Sequence, residues 1–155
     1  MLNNIQVVRK HWHTVDELVS RWLDERQELL VLFCSISRVR PIHGAIDRHQ
    51  TQFHRFCEVL VDYVSAGHFE IYEQLIQEAV EFQDGGTELA RQLYPVIAST
   101  TGVVLDFNDR CLEKKGDRQP LARDLSQLGV ALEARFEAED RLIEALHRIH
   151  AEAVA

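Results

Sequence analysis

The stripe Leu121, Leu125, Leu128, Leu132, Phe136, Leu142, Leu146 and Ile149 constrains the fold more than any other feature of this sequence. Its steps of mostly three and four residues gather apolar side chains on one helical face, and it lacks the strict alternation of a half-buried strand. Pro120, just ahead of it, suits a first helical turn, where its missing amide has no partner to lose. The stripe lasts for roughly eight turns, and a face that long has to be covered by other helices of comparable length.

The rest of the chain supplies them. Only seven glycines and three prolines occur in 155 residues, and they fall mainly between segments with the same periodicity. Thr14-Val15-Asp16-Glu17 fits a capping box, which predicts a helix start there and a helix to about Val39, buried through Val15, Leu18, Trp22, Leu29, Phe33 and Ile36. Residues 3–13 are expected to add a helical turn or short helix anchored by Trp12. Pro41 and Gly44 mark a loop. A second helix is predicted from Asp47 to Ala66, with Phe53, Phe56, Leu60 and Tyr63 inward. Gly67 reads as the corner of a helical hairpin or a sharp kink, since glycine tolerates the left-handed backbone of a helix end. A third helix follows from Phe69 to about Phe82, stopped by Asp84-Gly85-Gly86. A fourth runs from Thr87 to Glu113, with a kink or restart expected at Tyr94-Pro95. Lys114-Lys115-Gly116-Asp117 is a surface turn. The expected fold is all-α: one domain over residues 1–155, an antiparallel bundle of five to six helices with a kinked hairpin at Gly67.

Charge and cysteine usage narrow the function. A formal net charge of −8 argues against non-specific nucleic-acid binding, which needs clustered Lys and Arg, and favours a neutral small ligand or a basic protein partner. Cys34, Cys57 and Cys111 form no CxxC pair and are expected as buried, reduced thiols. Met1 to Val8 lacks the apolar core of a signal peptide, and the longest apolar run, Leu29 to Cys34, is far short of the roughly 20 residues that cross a bilayer. A soluble, cytoplasmic protein with no membrane contact is expected.

Enzymatic chemistry finds little footing. A di-iron bundle needs Glu-x-x-His on two helices, and the sequence has one such step, Glu144 to His147. The other histidines, His11, His13, His43, His49, His54, His68 and His150, cluster toward predicted ends and loops. Gly-x-Ser-x-Gly, P-loop and Rossmann glycine patterns do not occur. Glu137, Glu139 and Asp140 are paired acids, but Glu137 and Asp140 read as a solvated face. No catalytic residue, metal or cofactor is expected.

Polar residues that interrupt apolar stripes carry more information. Glu25 or Arg26 in the first long helix, and Arg135 and Glu139 in the last, fall where apolar residues are due. Buried ions are costly unless paired and hydrogen-bonded, so these residues form either one internal network, with Asp62 and His68 as further candidates, or a polar pocket open to solvent. A second feature is acidic. From Glu70 to Ala90 there are six acidic residues, Glu70 and Glu73 first among them, and no Lys or Arg. Such a run is either a solvated face or a docking face for a basic partner such as a DNA-reading domain.

The residues Arg21-Trp22-Leu23 with Arg26, then Val61-Asp62-Tyr63-Val64-Ser65-Ala66-Gly67-His68-Phe69 with Tyr72-Glu73, then Leu132-Glu133-Ala134-Arg135-Phe136 with Glu139-Asp140, resemble the Rsd/AlgQ family. The likeness runs from about Leu18 to Leu146. It implies a helical bundle and a non-enzymatic, bacterial anti-sigma factor that binds the promoter-reading C-terminal domain of the housekeeping sigma factor and keeps it from core RNA polymerase. The resemblance puts Asp62 at the sigma contact with Tyr63, His68 and Phe69 nearby; Glu70 and Glu73 extend that face. A monomer or weak homodimer without direct nucleic-acid contact is expected. The alternative is a bundle holding a metal or small ligand where Glu25, Arg135, Glu139 and His68 converge.

Overall fold

The computed structural model describes residues 2–38, 46–74, 76–77, 86–113 and 122–154. Among them lie four α-helices: α1 (Leu2–Arg38), α2 (Ile46–Ala66), α3 (Gly86–Glu113) and α4 (Ala122–Val154). A π-helical segment, Gly67–Tyr72, follows α2 directly. No strand occurs among the described residues.

Neighbouring helices run antiparallel, as their pairings show. Trp22 meets Tyr63 and Glu28 meets Arg55 between α1 and α2. Phe53 meets Phe107 and His68 meets Thr101 along α2, the π segment and α3. Arg110 meets Asp124 and Arg135 meets Ile97 between α3 and α4. Arg26 meets Asp140 to close the ring between α1 and α4.

The fold departs from expectation in four places. First, α1 starts at Leu2, so the Thr14 capping box lies within a helix instead of opening one. No Gly or Pro interrupts Leu2–Arg38, and Glu17 pairs with His13 at 3.2 Å along the helix. Second, α3 runs through Pro95 without a restart. Pro95 and Arg91 are both exposed, so water can reach the carbonyl that loses its amide partner. Third, the helix does not turn back at Gly67: α-helix passes into π-helix there, and residues 73 and 74 remain helical. Fourth, Cys34 is exposed and Cys57 half-buried, not fully buried as expected. The predicted loop at Pro41 and Gly44, the acidic Glu78, Glu81 and Asp84, and the turn after Lys114 lie outside the described residues.

Two apolar clusters form the core. The larger joins Trp22, Leu29, Phe56, Leu60, Phe107 and Leu128 with their neighbours, and edge-on contacts link the Phe53, Phe56 and Phe107 rings. The smaller joins Tyr72, Ala90, Leu93, Ile97, Ala138 and Leu142. Arg135 and Glu139, on α4, are as buried as the apolar residues around them.

Candidate functional site

The site is built where α2 becomes π-helical, and Trp22 of α1 determines that geometry. A Cβ on Gly67 would lie 2.7 Å from Trp22 Cζ2 and 3.2 Å from Arg135 Nη2. Glycine is required by this close approach, not by a left-handed backbone. The Trp22 ring stacks on Tyr63 at 5.0 Å with an interplanar angle of 8°. Its Nε1 donates to the Tyr63 carbonyl at 3.0 Å, and Arg135 Nη2 donates to the Val64 carbonyl at 3.0 Å. Two consecutive carbonyls at the end of α2 thus accept side-chain donors. Side chains entering the ladder in this way are a recognised cause of local helix widening.

Behind the π segment lies a buried ionic network. Arg135, fully buried, donates through Nε to Glu139 at 2.7 Å and through Nη1 to the Ile97 carbonyl, Thr100 and Thr101 at 3.1, 3.2 and 2.8 Å. The Thr100 and Thr101 hydroxyls donate back to carbonyls of their own helix, leaving their oxygens free to accept from Arg135. Glu139 accepts from Arg135 on one oxygen and from Tyr63 and Arg26 on the other. Arg26 donates Nε to the Tyr63 hydroxyl at 2.9 Å and Nη1 to Asp140 at 2.6 Å, while its guanidinium lies over the Phe136 ring at 4.9 Å. Burial pushes the Glu139 carboxyl up and Arg135 down from their ordinary ranges, and their mutual attraction opposes both shifts. Burial also raises the Tyr63 phenol well above its usual range, which keeps it a donor to Glu139.

The outer face of the same region is different. Phe69 is 58% exposed and Tyr94 48% exposed, and His68 stacks on Phe69 at 4.6 Å with its Nδ1 2.9 Å from Thr101 Oγ1. Burial and the nearby Arg135 lower the His68 pKa, with Glu73 opposing. Glu25 of α1, Asp62 of α2 and Glu70 of the π segment, the last adjacent to Phe69 in the chain, share one electrostatic neighbourhood. Partial burial raises the Glu25 pKa, and the negative charges of Asp62, Glu28 and Glu70 raise it further. The cation that reaches this group, Arg55, is held by Glu28 at 2.8 Å and Glu58 at 3.7 Å.

Two expectations need correction. Tyr63, expected on the docking face, is fully buried, because its ring stacks on Trp22 and its hydroxyl completes the Glu139 shell. Glu25, expected in the internal network, interacts electrostatically with Asp62, Glu28 and Glu70 outside it; Arg26, one position on, joins the network instead. Arg26, Arg135 and Glu139 meet in one network, while Asp62, Phe69, Glu70 and Glu73 are exposed and His68 is half-buried. Sequence reasoning did not include Trp22, Thr100, Thr101 or Asp140 in the network. Asp140, adjacent to Glu139, was the one with a visible signal.

The metal alternative finds no support. Both oxygens of Glu139 are occupied by protein donors, and Glu25 does not converge with it. Among the described residues no three His, Cys, Asp or Glu side chains are grouped to hold a metal. Nor is any helix among them long and apolar enough to cross a membrane.

Comparison with known proteins adds a family. The profile described as "Regulator of RNA polymerase sigma(70) subunit, Rsd/AlgQ" matches residues 1–147. The chain is 36% identical over 149 residues to a "Regulator of sigma D" from Salmonella paratyphi A, covering 92% of this chain and 90% of the relative. A "Regulator of sigma D" from Yersinia enterocolitica is 32% identical over 148 residues, covering 93% of this chain and 89% of the relative. One of the same name from Yersinia pseudotuberculosis is 32% identical over 150 residues.

Proposed function

The chain belongs to the Rsd/AlgQ family, and we propose that it binds the promoter-reading C-terminal domain of the housekeeping sigma factor and holds that factor away from core RNA polymerase. The observation that carries this reading is the acidic face formed by Glu25, Asp62 and Glu70, from three separate elements, beside the exposed Phe69. A DNA-reading domain presents Lys and Arg for phosphates. Acidic side chains that repel one another are relieved when such cations arrive, and Phe69 supplies apolar contact at the edge. No bond is made or broken; the mechanism is occupancy. A sigma domain whose basic surface is covered cannot reach promoter DNA or dock on polymerase. The buried network acts from behind, fixing α1, α2 and α4 so that the acids from separate elements stay together.

The test is a titration of the full chain against the isolated sigma C-terminal domain. A one-to-one complex is expected, weakening as salt is raised. Asp62→Ala is expected to weaken it about tenfold, or about 1.4 kcal/mol, with unchanged helical circular dichroism. Absence of binding at micromolar concentration overturns the proposal. Binding indifferent to both Asp62→Ala and Phe69→Ala places the contact elsewhere.

A further inference from the structure

On the flank of α1 away from Glu25, the surface opens into a groove between α1 and α4 that continues as a shallow hollow over α1 itself. Two adjoining hollows of about 560 and 480 Å³ share Leu30 as a common wall. Phe33, Leu132 and Phe136 line the first, and Leu23 and Val31 the second. Leu30 is 42% and Val31 61% exposed, so much of this apolar surface meets water. Adjoining exposed apolar surface of this kind is a feature of protein-docking sites.

The rim says what kind of molecule. Glu133, Glu137 and Glu144 of α4 line the groove, all exposed, and none forms an ion pair among the described residues. Asp140, on the same rim, is neutralised by Arg26, and Arg141 is the basic side chain facing the first hollow. Glu133 to Glu144 covers eleven helical steps, a span of about 16 Å at 1.5 Å per residue. That length matches a helix of about three turns lying along α4, with apolar residues on one face and cations beside them.

We propose that the α1–α4 groove is a docking site for a basic amphipathic helix of a protein partner, distinct from the Asp62 face. The apolar stripe of the incoming helix covers Leu30, Val31 and Phe136, and its Lys or Arg residues pair with Glu133, Glu137 and Glu144. The acids set orientation and selectivity, and the apolar floor provides most of the binding energy.

Chemical-shift mapping on the isotope-labelled full chain tests this with defined probes. The first is an amphipathic Lys/Leu peptide of roughly five turns; the second is a scramble of the same composition without an apolar face; the third is a Glu/Leu peptide with the same apolar stripe. The first is expected to bind at micromolar concentration and to move signals of residues 23–35 and 129–144. Leu30→Glu is expected to weaken it at least tenfold and Glu137→Lys severalfold, with Asp62→Ala neutral. That neutrality separates this proposal from the sigma contact, which depends on Asp62. Equal binding of the scramble reduces the effect to charge alone and overturns the proposal, as does equal binding of the Glu/Leu peptide. Shifts confined to residues 62–73, or indifference to Leu30→Glu, also overturn it. Concentration-dependent shifts of the groove residues without peptide assign the groove to a second copy of this chain instead.

Discussion

Glu139 and Asp62 carry the same functional group to opposite ends. Glu139 is 1% exposed, and its oxygens accept from two arginines and a tyrosine. Asp62 is exposed, interacts with Glu25, and forms no ion pair among the described residues, the nearby Arg55 being paired with Glu28 and Glu58. A buried charge is tolerated only when its shell is complete, so Glu139 has no capacity left for a partner and its contribution is to architecture. An exposed acid among other acids contributes little to folding and keeps its full capacity for an incoming cation. Two carboxylates, one on α2 and one on α4, therefore divide support and recognition between them.

Four substitutions probe that division, beginning with the buried side. Arg135→Ala leaves one buried Glu139 oxygen without a donor and removes the side-chain donors to the carbonyls of Val64 and Ile97, and is expected to cost about 3–5 kcal/mol by chemical denaturation. Gly67→Ala drives a methyl to 2.7 Å from the Trp22 ring; a loss of about 1–3 kcal/mol is expected, with the fluorescence of Trp22 altered as its stacking on Tyr63 shifts. Asp62→Ala, by contrast, is expected to change stability by no more than about 0.5 kcal/mol while weakening the sigma complex. Glu25→Gln is the finest discriminator. Burial and its acidic neighbours hold Glu25 above the ordinary carboxyl value of 4.5, so its ionisation destabilises the fold progressively as pH rises above 4.5, and fully beyond the raised value. The variant is expected to melt slightly higher than wild type near pH 7, with the gain fading as pH falls toward 4.5. It is also expected to bind a basic partner more weakly. A variant less stable at neutral pH would show that Glu25 is not under repulsion.

How much of this was legible in the sequence depended on distance along the chain. The bundle was, because each apolar stripe is local. Arg135 and Glu139 stood out because they break the stripe of α4 one helical turn apart. The choice between Glu25 and Arg26 was not, since adjacent residues differ by only about 100° around a helix and either could face inward. Tyr63 lay on an apolar face, but the partner of its hydroxyl comes from α4, and no local pattern announces that. Gly67 was visible as special for the wrong reason: the constraint is a tryptophan ring 45 positions earlier rather than a backbone angle. Thr100 and Thr101 resemble ordinary weak helix formers until Arg135 arrives between them.

Arg26 also bears on the order in which the chain assembles. Its bonds to Glu139 and Asp140 bridge 113 and 114 positions, far more than the ties between successive helices. Bringing such distant segments together costs the most loop-closure entropy, so hairpins form early and the α1–α4 seam closes late. Interactions absent from the folding transition state slow escape from the native state without hastening arrival. Asp140→Ala is therefore expected to speed unfolding severalfold in stopped-flow measurements and to leave the refolding limb almost unchanged. In this molecule Arg26 and Asp140 act as a latch, governing how long the finished bundle stays shut more than how fast it is made.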